Sequence, residues 1–171
     1  MLGGTIARDI YVTGLQNAHA MEKQALSIMK PQVERIEKYP QVARKLEEHI
    51  RETEGQIERL DGILRRHNAS SSSLKDTFLS AFGGMASMGH AVAGDEIIKN
   101  SLANSAFENY EIAAYLTLIG MARATGDTEA VPALEQTLEE ERRMAAWLQD
   151  HMLELTQQFI SLKVGGDRAK T

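Results

Sequence analysis

The sequence predicts an all-α protein: a bundle of four long helices, two antiparallel hairpins joined by a long crossover that carries a short extra helix. Three observations lead there. Apolar residues recur at spacings of three and four along almost the whole chain, with no strand-like alternation and no hairpin dipeptide. The three prolines fall only near helix ends or breaks. The links between the long periodic segments run short, long, short, which suits two tight hairpins and one spanning connection.

The first periodic segment extends from about Ile6 to Ile36, and Pro31 inside it should kink the helix or end its regular part. The second covers about Pro40 to His67, with Pro40 at a first helical position and Asn68 as a left-handed stop. Asn68-Ala-Ser-Ser-Ser-Ser then breaks the pattern. A weaker amphipathic segment, about Leu74 to Val92, is loosened by Gly83, Gly84 and Gly89. The third long run is about Asp95 to Ala124, with Asp95 as N-cap. A turn at Gly126-Asp127-Thr128 leads to a fourth run ending near Leu162. The stretch from Asn68 to Gly94 is long enough to run the length of a bundle, and this gives the ferritin-like arrangement rather than a simple up-down-up-down one. Residues 1–163 are expected to form a single domain and 164–171 a flexible, frayed tail.

Composition removes several chemistries. With 171 residues, 43% of them apolar and 25% charged, the chain has the make-up of one globular domain. The absence of cysteine excludes disulfide scaffolds, thiolate catalysis, zinc ribbons and iron–sulfur clusters. The formal charge of −5 argues against a nucleic-acid binder. The longest uncharged apolar run, Ile112 to Ala122, is far shorter than the roughly 18–20 residues that span a bilayer. The first ten residues contain no apolar signal-peptide core, so a cytoplasmic protein is expected. Function is left to oxygen and nitrogen groups.

Those groups stand where a core should be apolar. At 100° per residue, Glu22 lies at the centre of the first helix's stripe of Tyr11, Leu15, Ala18, Leu26, Met29, Val33 and Ile36. Glu108 centres the third stripe, of Ile97, Ser101, Asn104, Ile112, Tyr115 and Ile119, and Glu111 lies about 60° off its line. Glu141 centres the fourth, of Leu134, Leu138, Ala145, Leu148, Met152 and Phe159. The second helix has Val42, Leu46, Thr53, Leu60 and Leu64, with His49 and Gln56 on one shoulder and Glu52 just beyond. Glu52 and Glu54 flank the stripe symmetrically; Glu52 is preferred because His49, three residues before it, is on its side. Neighbouring Glu139 and Glu140 read as solvated, His19 as a shoulder residue, and Tyr115 as a packed neighbour of the cluster.

Burying several unpaired carboxylates is costly, and a pair of metal ions would compensate them. Hard carboxylate oxygens with one imidazole suit iron or manganese, whereas zinc would recruit more nitrogen or sulfur and calcium more loop oxygens. The expected ligands are Glu22, His49, Glu52, Glu108, Glu111 and Glu141, holding two Fe or Mn ions. The class-different alternative is a metal-free structural or protective helical dimer with a satisfied glutamate–histidine–tyrosine core network.

The segments Ala20-Met-Glu-Lys-Gln-Ala-Leu26, His49-Ile-Arg-Glu-Thr-Glu-Gly-Gln-Ile-Glu-Arg59, Glu108-Asn-Tyr-Glu-Ile-Ala-Ala-Tyr115 and Thr137-Leu-Glu-Glu-Glu141 resemble the YciE/YciF family of ferritin-like bacterial stress proteins. The likeness covers about residues 6–162 in the same order. It implies a ferritin-like bundle, a homodimer, a non-haem dimetal centre and a role in stress. The metal template it suggests is rubrerythrin-like, matched by Glu22 and by the pair Glu108/Glu111. The chain departs from that template in having His49-x-x-Glu52 rather than Glu-x-x-His, and Met144 and Ala145 where a histidine would follow Glu141. Turnover, if it occurs, would make the protein a peroxidase- or oxidase-like oxidoreductase served by an unidentified partner or electron donor. Neither nucleic acid nor membrane is an expected partner.

Overall fold

A computed structural model describes residues 2–71 and 93–171. Four helices make up the described residues: α1 (Leu2–Arg35), α2 (Pro40–Arg66), α3 (Glu96–Thr125) and α4 (Val131–Val164). Among the described residues no strand is present. The weak amphipathic segment read from the sequence, with its expected short helix and His90, lies outside the described residues.

The caps follow local chemistry. Pro40 sits in the first turn of α2, where its missing N–H has no helical partner to lose. Asn68 adopts φ 55° after α2, the left-handed stop expected of it. Gly126 closes α3 at φ 80°, and the Asp127 N–H reaches back to the Ala122 carbonyl at 2.9 Å. Of the two outcomes expected at Pro31, a kink or an end, the end does not occur, because α1 continues to Arg35. Asp95 is the N-cap residue of α3, as expected, although its side chain makes no capping bond; its Oδ1 pairs with Lys99 Nζ at 2.9 Å.

The contacts at the two bundle ends establish the topology. At one end, Tyr11 of α1 donates its hydroxyl to Asp127 after α3, and His67 after α2 meets the same carboxylate at 2.9 Å. At the other end, Arg35 at the close of α1 pairs with Glu96 at the start of α3. α2 therefore finishes at the opposite end from where α3 begins. A helix of about 27–30 residues is about 40–45 Å long, and the end of α2 and the start of α3 lie at opposite ends of that length. α1 packs on α2 and α3, and α4 on α3 and α2, each neighbouring pair antiparallel. This is the ferritin-like, four-helix, all-α arrangement expected from the link lengths.

The last residues differ from the expected frayed tail. The Lys170 carbonyl accepts the Ile97 N–H at 2.9 Å, one of the donors left unpaired at the start of α3. The Ala169 carbonyl accepts the buried Tyr39 hydroxyl at 2.7 Å, and the Thr171 carbonyl the Lys38 N–H at 3.0 Å. Sequence composition could not show this, because the partners are helix ends brought together only by the fold.

Candidate metal centre

The apolar stripes meet along the bundle axis, built from Leu15, Met21, Leu46, Leu60, Leu134 and Met144, all nearly inaccessible. Because the glutamates occupy the same stripes, folding carries them inward with the leucines. Glu22, Glu108, Glu111 and Glu141 are at most 3% exposed and His49 is fully buried. One donor atom from each of His49, Glu108, Glu111 and Glu141 lies within 4.8 Å of the others. This buried histidine–glutamate cluster could hold a metal ion.

His49 is the hub. Its Nε2 faces Glu108 Oε2 and Glu141 Oε2 at 3.3 Å each, and its Nδ1 lies 3.1 Å from Glu52 Oε2. Burial works against a proton on the ring, but the surrounding carboxylates, Glu108 foremost, raise its pKa well above the ordinary histidine value. Glu22 stands beside the four, its Oε1 accepting the Tyr115 hydroxyl at 2.5 Å. Gln56, fully buried, donates its amide to both Glu141 and Glu140.

The electrostatics are those of carboxylates crowded in a dry place. Burial, then the charge of Glu141, pushes the Glu22 carboxyl far up. Burial followed by Glu141, Glu22 and Glu108 does the same to Glu111. Burial also raises Glu108, against the pull of His49, to about 8. Buried and facing Glu22, the Tyr115 phenol is raised as well.

Several oxygens are poorly satisfied. Glu22 Oε2 and both oxygens of Glu111 are buried without a hydrogen-bond partner, and Glu108 Oε2 and Glu141 Oε2 have only the 3.3 Å contact with His49 Nε2. Buried polar atoms are normally paired, so three unpartnered oxygens beside two that share one imidazole fit a bound cation. The donor set is carboxylate-rich with one imidazole.

Glu52 is placed differently from the other expected ligands. It sits at the edge of the cluster, with Oε2 against His49 Nδ1 and Oε1 accepting from Arg143 at 2.9 Å. Burial works against its charge, but the bonds from His49 and Arg143 prevail and hold its carboxyl at about 2. Glu54 points away altogether and pairs with Lys30 at 2.8 Å. Glu140, read as solvated, is buried as well, gripped by Arg59 and Gln56 and bonded to Gln136 at 3.0 Å. The sequence pattern alone does not bring Gln56 and Glu140 into the site. The shoulder position of Gln56 next to His49 is a usable signal, whereas the Arg59–Glu140 pair joins two helices and leaves no mark on the periodicity. His19 pairs with Asp61 at 3.2 Å, and His151 stacks on Trp147.

Fold and site together define a ferritin-like four-helix protein with a buried carboxylate–histidine cluster. The family model described as a domain of unknown function (DUF892) matches residues 6–161, and the chain belongs to that family. It is 30% identical over 145 residues to protein YciF of Escherichia coli K12, covering 78% of this chain and 82% of that protein. Among solved structures it resembles a protein from Xanthomonas campestris pv. campestris, with 31% identity and a TM-score of 0.78 over 92% of this chain and 98% of that one. It also resembles the E. coli stress protein YciF, with 25% identity and a TM-score of 0.76 over 86% and 94% of the two chains. The YciE/YciF resemblance carried by the four motif segments is thereby borne out. No helix among the described residues is long and apolar enough to cross a membrane.

Proposed function

We propose that this protein binds a non-haem dimetal centre of iron or manganese in its bundle core and acts there on peroxide, dioxygen or iron during stress. The observation that carries the reading is the buried convergence of His49, Glu108, Glu111 and Glu141, with both oxygens of Glu111 and one of the neighbouring Glu22 left without a hydrogen-bond partner. Glu22, His49, Glu108, Glu111 and Glu141 would hold the ions. When bound, the ions would supply Lewis acidity and redox chemistry in a site closed to bulk water.

The chain's own groups do the rest. Gln56 fixes Glu141 by a bond to its Oε1 while Oε2 lies against His49, and Tyr115 fixes Glu22 through the hydroxyl bond to Oε1, leaving Oε2 without a hydrogen bond. Burial and mutual repulsion favour the protonated forms of Glu22, Glu108 and Glu111 in the metal-free protein, so cation uptake would release protons. The likeness to the E. coli stress protein YciF supports a role in stress.

The metal-free structural dimer needs a core network in which every buried polar atom is paired. The unpartnered oxygens of Glu111 favour the metal reading over it. The test is reconstitution of metal-stripped protein with Fe2+ or Mn2+, followed by peroxide consumption. The reading predicts turnover that disappears in Glu108→Ala; binding without turnover with either ion would reduce the protein to a metal binder.

A further inference from the structure

The seam between α2 and α4 carries a chain of groups that leads from solvent to the cluster without ending in it. Arg143, more than half exposed, donates to Glu52 Oε1 at 2.9 Å. The other oxygen of Glu52 meets His49 Nδ1 at 3.1 Å. The opposite ring nitrogen, Nε2, faces Glu108 and Glu141. Both oxygens of Glu52 are thus occupied, one by the exposed Arg143 and one by the far side of the His49 ring, unlike those of Glu111, which have no hydrogen-bond partner.

From this geometry we infer that Glu52 is not a metal ligand but a positioning residue, which fixes the His49 ring through Nδ1 so that Nε2 is presented to the ion, with Arg143 locking Glu52 in place. The inference rests on the dimetal reading for its cation but assigns a role that differs from the ligand role the sequence suggested. The physical need is plain. An imidazole can rotate about its Cβ–Cγ bond and can carry its remaining proton on either nitrogen. A carboxylate accepting from Nδ1–H selects one tautomer and one rotamer and raises the donor strength of Nε2. Glu52 has the right reach, because residues three apart on a helix share a face. Thr53 tightens the same turn by donating its hydroxyl to the His49 carbonyl at 2.9 Å.

Arg143 makes the arrangement directional. Its guanidinium comes from α4, so the orientation of a ligand on α2 depends on the packing of the two helices. Glu52 is also not among the residues whose donor atoms converge within 4.8 Å, which are His49, Glu108, Glu111 and Glu141.

The experiment is a Mn2+ titration of the metal-stripped full chain, reading affinity and the number of ions bound, for wild type, Glu52→Ala, Glu52→Gln and Arg143→Ala. Outer groups that orient a ligand typically contribute 10–100-fold in metal affinity. Glu52→Ala should lose about that factor with the number of ions unchanged. In Glu52→Gln the amide oxygen still accepts from Nδ1–H, so affinity should recover towards wild type. Arg143→Ala should fall between Glu52→Gln and Glu52→Ala. Loss of an ion from the stoichiometry in Glu52→Ala would make Glu52 a ligand and overturn the inference, as would wild-type affinity in that variant.

A second readout needs no metal. The His49 Nδ1 proton, followed by nitrogen-15 NMR of metal-free protein, should be hydrogen-bonded and slow to exchange. It should become fast-exchanging in Glu52→Ala and recover in Glu52→Gln. If wild type binds no Mn2+, the dimetal reading fails, and this proton decides the positioning role alone: its loss in Glu52→Ala supports the role and its persistence overturns it.

Discussion

Two glutamates on α3, Glu96 and Glu111, are about four helical turns apart, equally buried, and in opposite circumstances. Arg35 donates to Glu96 Oε1 at 2.7 Å, and the Lys170 ammonium stands 3.2 Å from Oε2 as an ion pair without an aligned hydrogen bond; both are cations whose outer parts reach solvent. Burial would raise its carboxyl, yet those two partners hold it below the ordinary range. Glu111 has no hydrogen-bond partner on either oxygen, faces Glu141, Glu22 and Glu108, and is pushed far up. A buried carboxylate with its cations supplied by the chain is part of the structure. One surrounded by other carboxylates destabilises the fold until protons or cations arrive, and that difference marks the candidate site.

If the contrast is real, metal should act on the Glu111 end only. Saturating Fe2+ or Mn2+, at about a thousand times its dissociation constant, should raise the unfolding free energy by about 4 kcal/mol. Denaturant titration of metal-stripped and loaded protein reads this, and loaded Glu108→Ala should show no gain.

Replacing one glutamate at a time should then give effects of opposite sign. Glu111→Leu removes an uncompensated buried carboxylate and should stabilise the metal-free protein by about 1–4 kcal/mol while weakening metal binding. Glu96→Ala strands Arg35 and Lys170 beside a buried pocket and should destabilise by about 1–3 kcal/mol, with or without metal. Destabilisation by both substitutions in metal-free protein would erase the distinction.

The pH dependences should also oppose one another. Glu108 has a folded value of about 8, above its unfolded value, so the folded metal-free protein binds more protons than the unfolded chain. That contribution is present below about pH 4.5 and is lost as pH rises towards 8. The raised His49 acts in the same sense above about pH 6.5. Glu96, with a lowered value, contributes above about pH 4.5 and fades as pH falls through its folded value. Thermal melts of metal-free protein between pH 5 and 8 should therefore decline in wild type, and decline less in Glu108→Gln.

The smallest effect concerns the docked end. Lys170→Ala removes one of the two cations on Glu96, itself partly exposed, and should lower stability by under about 1 kcal/mol while leaving metal affinity unchanged. Melting and Mn2+ titration of the same sample check both halves of that statement.

The helices and their inward glutamates were legible because burial on a helix is periodic: Glu22, Glu108 and Glu141 each centre an apolar stripe, and the structure buries all three. Periodicity gives an angle and not a partner. It could therefore rank Glu52 with the ligands, although Arg143 from another helix claims one of its oxygens. It set Glu140 outside for being one residue away from Glu141, although Arg59 and Gln56 draw it in. The docking of residues 169–171 was illegible for the same reason, since its partners Tyr39, Lys38 and Ile97 belong to three separate parts of the chain.

The most direct test is the metal content of protein purified without a chelating column, measured per chain for wild type and Glu108→Ala. About two iron or manganese ions per wild-type chain are predicted, and a clear loss in the variant. Wild-type protein that carries no metal, takes up none when Fe2+ or Mn2+ is supplied, and melts at the same temperature with and without them would contradict the account.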